Sequence, residues 1–291
     1  MDQIIQNAYL QVTISSLGGE LQSIRSAGGR EYLWQGDPAY WTGRSPVLFP
    51  YIGRLTEDSY RLDGKTYHMN RHGFCKISEL EVLDKSTQSV TFLLHSSETT
   101  RNIYPRSFVF LLRYSLEARR LLVSAAVVSQ DEKPMYFGFG GHPGFRVPLE
   151  DGLAFTDYEL QFADAAEPEQ IGLSDTGYVE GPNRPVALEG RRVLHLSHDL
   201  FDHDAIVLTN ASKAVTLRSE KGTHGVTVSY PKMNYIGFWH KPQTDAPYVC
   251  IEPWSSLPSR QGVVEDLETQ PGLIALPAFG IYQNTWTAEM F

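Results

Sequence analysis

The chain has 291 residues, enough to bury a sizeable hydrophobic core without disulfide staples. Its 25 Lys and Arg against 34 Asp and Glu leave a net charge of −9 with no polybasic run, which argues against nucleic acid and anionic membrane surfaces as partners. With 24 Gly, 17 Pro, 42% hydrophobic and 20% charged residues, the composition excludes a disordered chain and describes an ordered, turn-rich one.

From Met1 to Asn7 no basic region leads into an apolar one, and no apolar stretch reaches about 18 residues, so neither a targeting peptide nor a membrane span is expected. Residues 8–15 and 21–25 read as strands around Leu17-Gly18-Gly19-Glu20, and Ala27-Gly28-Gly29-Arg30 predicts a second hairpin into residues 32–34. Cys75 and Cys250 are the only cysteines, a usage that suggests a reducing compartment and a cytoplasmic location. The clearest hairpins are 108–116 with 121–129, across Glu117-Ala118-Arg119-Arg120, and 215–219 with 226–230. Further strands are predicted at 90–95, 205–209, 236–239, 248–252 and 281–286. Residues 164–190, rich in Pro, Glu and Gly, read as a long surface excursion. Helical periodicity is scarce, and no repeat or linker interrupts the pattern. The expectation is one all-β domain over residues 1–291, with about a dozen or more strands in two large sheets packed face to face.

Three segments set a titratable residue among Gly, Pro and aromatic residues, a composition suited to a shaped concave site. They are Arg71-His72-Gly73-Phe74-Cys75-Lys76, Phe139-Gly140-Gly141-His142-Pro143-Gly144-Phe145 and Tyr248-Val249-Cys250-Ile251-Glu252-Pro253-Trp254. In the last, strand alternation puts Cys250 and Glu252 on one face and Val249 and Ile251 on the other. An unpaired carboxylate buried there would cost several kcal/mol. Glu252 is therefore expected to pair with a cation, take a raised pKa or face an open pocket, each of which suits a base. His142 and His72 add two imidazoles, completing a set for general acid and base work.

Pro46-Val47-Leu48-Phe49-Pro50 with Gly53-Arg54, then His72-Gly73-Phe74, Gly141-His142-Pro143-Gly144-Phe145 and Ile251-Glu252-Pro253-Trp254, occur in an order that resembles the aldose 1-epimerase (galactose mutarotase) family, in particular its LacX-like branch. The resemblance implies a large antiparallel β-sandwich and a cofactor-free interconversion of the α and β anomers of a hexose. Glu252 would be the base that takes the anomeric hydroxyl proton, and His142 the acid that protonates the ring oxygen. His72 would be a second imidazole bonded to that oxygen. Such proton transfers contribute about 10²–10⁴-fold each. The same resemblance points to an acidic residue that holds sugar hydroxyls, Asp204 or its neighbour Asp202. Arg54 is expected to contact a substrate oxygen and Trp239 to stack on a sugar face, while Trp34 reads as core.

After His72-Gly73-Phe74 the family often carries a small residue and then Arg, whereas this chain has Cys75-Lys76, which replaces a planar fork with a point charge. Arg44, Arg54, Arg71 and Lys76 are enough cations for a phosphate. Lys76 and the charge of −9 nevertheless predict a preference for a neutral hexose over its 6-phosphate. A hexose-6-phosphate epimerase and a sugar-binding or sensing protein are the alternatives. No metal is expected, because His195 and His198 have the wrong parity to share an ion on a strand.

Overall fold

A computed structural model describes the chain from Met1 to Phe291. Two large antiparallel sheets form the fold. The first has nine strands in the spatial order Val193–His195, Tyr158–Phe162, Ala214–Ser219, Val226–Ser229, Ile281–Met290, Arg120–Ser129, Phe108–Glu117, Ser89–His95 and Glu81–Lys85. The second has eight. It runs Arg184–Pro185, Glu169–Gln170, Ile206–Thr209, Tyr235–Trp239, Tyr248–Trp254, Gly140–Gly141 and Val47–Leu48, with Gly144–Arg146 also paired to Tyr248–Trp254. A three-stranded sheet of Asp2–Gln6, Leu10–Ser15 and Leu21–Ser26 opens the chain, and the single α-helix is Glu98–Ile103. No helix is long and apolar enough to cross a membrane.

Alternation explains the layers. Along Arg120–Ser129 every second residue is buried, and its partner Phe108–Glu117 shows the matching pattern. Between the sheets Phe49 stacks on Phe110 with ring centroids 4.5 Å apart, and one hydrophobic cluster runs from Ile5 to Met290. Each fully buried Leu, Ile, Val or Phe contributes about 1.5–3 kcal/mol. That burial also sets register: Val249 and Ile251 belong to this core, so a slip of one residue on Tyr248–Trp254 would drive the Glu252 carboxylate into it. On the opposite face Tyr248 and Cys250 pack with Trp34 and Ala246, under Tyr40, Trp41 and Trp239.

The all-β antiparallel sandwich expected from the sequence is what forms, and the 108–116/121–129 and 215–219/226–230 hairpins are both present. Two expectations need correction. The Gly28-Gly29 turn does close onto Leu21–Ser26, with Arg25 bridged to Glu31 and the Tyr32 amide donating to the Ile24 carbonyl at 2.9 Å, but residues 32–34 do not continue it as a strand. Buried Tyr32, Leu33 and Trp34 are drawn instead across to Gly144–Arg146, through a bridge between Leu33 and Phe145. The 164–190 segment is more than a surface excursion, because Glu169–Gln170 and Arg184–Pro185 extend the eight-stranded sheet and Val179 pairs with Arg260. Its charged composition disguised two short strands, of which Arg184–Pro185 is the sheet edge. Tyr158–Phe162, unforeseen in the sequence, joins the nine-stranded sheet beside Ala214–Ser219.

Candidate active site

The antiparallel register builds the site row by row. Gly140 pairs with Trp254 and Gly144 with Cys250, so His142, midway between them, lies opposite Glu252. On the other side of that strand Gly237 pairs with Glu252 and Trp239 with Cys250. One row across the sheet therefore reads Gly237, Glu252, His142, all on the face turned away from the core. His142 Nε2 comes within 3.3 Å of Glu252 Oε2, and both side chains are almost fully buried. Neither Glu252 Oε2 nor His142 Nδ1 has a hydrogen-bond partner.

His72 arrives from a different stretch of chain. Gly73 has φ +72°, and a Cβ there would fall 2.3 Å from the Phe49 carbonyl oxygen, so the two backbones meet only because residue 73 is glycine. That approach brings His72 against Gly53, whose amide donates to His72 Nδ1 at 3.1 Å. The His72 and His142 rings then meet edge to face at 5.6 Å. Trp41 lies over His142 at 5.0 Å and Trp239 meets it edge-on at 5.7 Å. Trp34 is buried against Tyr248 and donates its indole N–H to the Trp41 carbonyl at 2.8 Å, so it packs and holds Trp41.

Arg54 follows Gly53 directly, and its buried Nε has no partner. Asp204 is half-buried, and its charge acts on both Arg71 and Glu252. Asp202 is exposed and its charge acts on His240 instead. Lys76 is half-buried near Arg71. Tertiary structure thus brings His72, His142, Glu252, Arg54, Asp204, Trp239 and Lys76 into one region. His195 and His198 do not join it or each other: His195 Nε2 lies 2.7 Å from Glu189, and His198 Nδ1 lies 3.1 Å from His240 Nε2.

The family model for aldose 1-epimerase matches residues 2–268. The chain belongs to the aldose 1-epimerase family. Among curated relatives, the chromosomal LacX protein of Lactococcus lactis subsp. lactis is 34% identical over 276 residues, covering 92% of each chain. Two solved structures are similar throughout. A galactose mutarotase related enzyme from Lactobacillus acidophilus has a TM-score of 0.94 at 34% identity, covering 100% of this chain and 97% of its own. A galactose mutarotase-like protein from Lactobacillus casei has a TM-score of 0.95 at 31% identity, with both chains covered in full. Family membership makes this chain an isomerase.

In this aldose 1-epimerase family member, burial governs the protonation of the central pair. It pushes the Glu252 carboxyl well above the usual carboxylate range and the His142 imidazole down to about 3, the latter aided by the Arg71 cation. Both directions favour the neutral forms, so the pair holds one proton, on Glu252, facing an imidazole that can receive it. Burial and the neighbouring Arg71 also push His72 well below the ordinary histidine range.

His142, Cys250 and Glu252 each offer one donor atom within 4.8 Å of the others, the residues that could share an ion. Burial raises the Cys250 thiol far above its usual range. A surface hollow lined by Asp175, Glu180, Arg184 and His203 contains no residue of the Glu252 row. The candidate chemistry lies where Trp41 and Trp239 pack against the His142 ring. Trp41 escaped the sequence reading; its only signal was an aromatic pair, Tyr40-Trp41, between Pro38 and Gly43.

Proposed function

We propose that this site interconverts the α and β anomers of an aldose by opening and closing the sugar ring. One observation carries the reading: buried polar atoms without partners, Glu252 Oε2, His142 Nδ1, Arg54 Nε and Trp239 Nε1, belong to residues gathered in one region. Stranded donors and acceptors cost about 1–3 kcal/mol each, and a polyhydroxylated ligand satisfies both kinds at once.

The two oxygens that exchange protons, the anomeric O1 and the ring O5, share one carbon. A base and an acid serving them must stand side by side, as Glu252 and His142 do at 3.3 Å. The one proton of the pair moves to His142, leaving Glu252 as a carboxylate. Glu252 then takes the O1 proton while His142 gives its proton to O5, the C1–O5 bond breaks and C1 becomes an aldehyde. Rotation about C1–C2 presents the other face, and the same two transfers in reverse close the ring. The protons balance, and Glu252 protonated beside neutral His142 is both the resting state and the state of the open-chain intermediate. Asp204 and Arg54 would hold hydroxyl oxygens and Trp239 an apolar sugar face. Two buried free thiols suit a reducing compartment such as the cytoplasm.

Freshly dissolved α-galactose and α-glucose should reach anomeric equilibrium faster with the enzyme than with heat-killed protein, as read by polarimetry. Rates that match the uncatalysed reaction for every aldose tested would remove the reading. The pH profile is a second check. Activity requires one proton on the pair; a second adds only near pH 3, where His142 titrates, and loss of the first lies well above the carboxylate range. The kcat/KM is therefore expected to be flat through pH 6.5, with no acid limb there. An inflection at 6.5 would show that His142 titrates like an exposed imidazole.

A further inference from the structure

Three cations border the site. Arg54, Arg71 and Lys76 take part in no ion pair, although the molecule carries nine more acidic than basic residues. Arg44, the fourth cation of that region in sequence, is committed elsewhere: its guanidinium donates to the Gln22 carbonyl at 2.7 Å. Glu20, close enough for Lys76 to feel its charge, spends Oε1 on the amides of Arg44 and Ser45. The carboxylates whose charges reach Arg71 are Asp204 and Glu252. Arg71 thus shares a half-buried space with Arg54 and Lys76, with Asp204 and Glu252 as the opposing charges that reach it but neither of them in contact with it as an ion pair.

The contact between Arg71 and His72 marks where that anion's oxygen would sit. The Gly53 amide donates to His72 Nδ1 at 3.1 Å, which leaves the proton of a neutral ring on Nε2. Arg71 Nε, itself a donor, stands 3.0 Å from Nε2. Placing the proton on Nδ1 only moves the conflict to Gly53, so in either tautomer one donor faces another. An oxygen at Nε2 resolves the conflict by accepting from both His72 and Arg71. Guanidinium groups suit carboxylate and phosphoryl oxygens because their N–H groups match both geometries.

We propose that Arg71 is a further substrate-contacting residue and that Arg71, His72, Arg54 and Lys76 together receive an anionic substituent, a carboxylate or a phosphoryl group, on the aldose. This rests on the anomer-exchange reading above and names its substrate class. It also reverses the preference for a neutral hexose drawn from net charge. A field summed over the whole surface is screened within about 8–10 Å by physiological salt, whereas half-buried cations act on a ligand at contact.

Anomer exchange of glucose, glucose 6-phosphate and glucuronate, followed by NMR magnetisation transfer, separates the possibilities. One of the anionic sugars should show a higher kcat/KM than glucose, and which one it is assigns phosphoryl or carboxylate. Arg71→Gln should lower that anionic-to-neutral ratio by about 10–100-fold, the range for losing a hydrogen bond to a charged group, while Arg71→Lys, which keeps the charge but not the fork, should fall between Arg71→Gln and wild type. Equal or better turnover of glucose, with a ratio unmoved by Arg71→Gln, would overturn the proposal and leave anomer exchange standing. If no sugar exchanges above the spontaneous rate, the anomer-exchange reading falls instead. Calorimetric binding of glucose 6-phosphate and glucuronate to wild type and Arg71→Gln then tests the anion subsite by itself, and binding that is equal in both proteins overturns it.

Discussion

Glu252→Gln should lower kcat for anomer exchange by about 10³-fold, within the range ascribed to general acid and base catalysis. The amide keeps the size of the side chain but cannot accept the O1 proton, and it removes the proton that His142 must receive across their 3.3 Å contact. Because both halves of the transfer are lost, the effect should appear in kcat more than in KM. Stability should change little, since the amide matches the protonated carboxyl in size and, like it, carries no charge to keep buried. Exchange kinetics and a thermal melt on the same preparation check both halves. Retention of more than a tenth of wild-type kcat in a normally folded variant would remove Glu252 as the base.

The second large effect is structural. Gly73→Ala adds a Cβ 2.3 Å from the Phe49 carbonyl oxygen at a residue whose φ is +72°. The left-handed conformation costs about 1–2 kcal/mol, and forcing two backbones apart adds about 1–3 kcal/mol, for a loss of about 2–5 kcal/mol. Gly64 is a matched control, because its φ is +71° and nothing lies within 4 Å of where its Cβ would stand. Gly64→Ala should therefore carry the conformational cost alone. Denaturant titrations of the two variants isolate the steric part, and equal losses would show that the approach to Phe49 is not tight. Activity should fall in Gly73→Ala as well, because the displaced segment carries His72 away from Gly53 and His142.

Period-two alternation along residues 248–254 is a local property, and from it the sequence determined that Glu252 and Cys250 share a face opposite Val249 and Ile251. The hairpins at 108–129 and 214–229 were legible for the same reason, since adjacent strands joined by short turns have few alternative partners. Motif order pointed to the family and to Glu252, His142 and His72. It did not place His142 opposite Glu252, because that pairing follows from the ladder contacts of Gly140 and Gly144 with a strand far away in the chain. Nor did it separate Asp204 from Asp202, which are of one type in one turn and differ only in exposure and in the groups their charges reach. The turn at Gly28-Gly29 was legible, and Arg25 does pair with Glu31 across it, but an apolar run fits any buried extended segment, and the docking of Leu33 on Phe145 is what turns residues 33–34 away from Leu21–Ser26. Arg71 was visible as a cation, but its lack of a carboxylate partner and its meeting with the His72 ring depend on where every neighbouring acid ends up. Side-chain order along the chain encodes which face a residue takes. Which residues then meet across strands, and which charges stay unpaired, is decided by packing the two sheets, since register and burial are properties of the whole core.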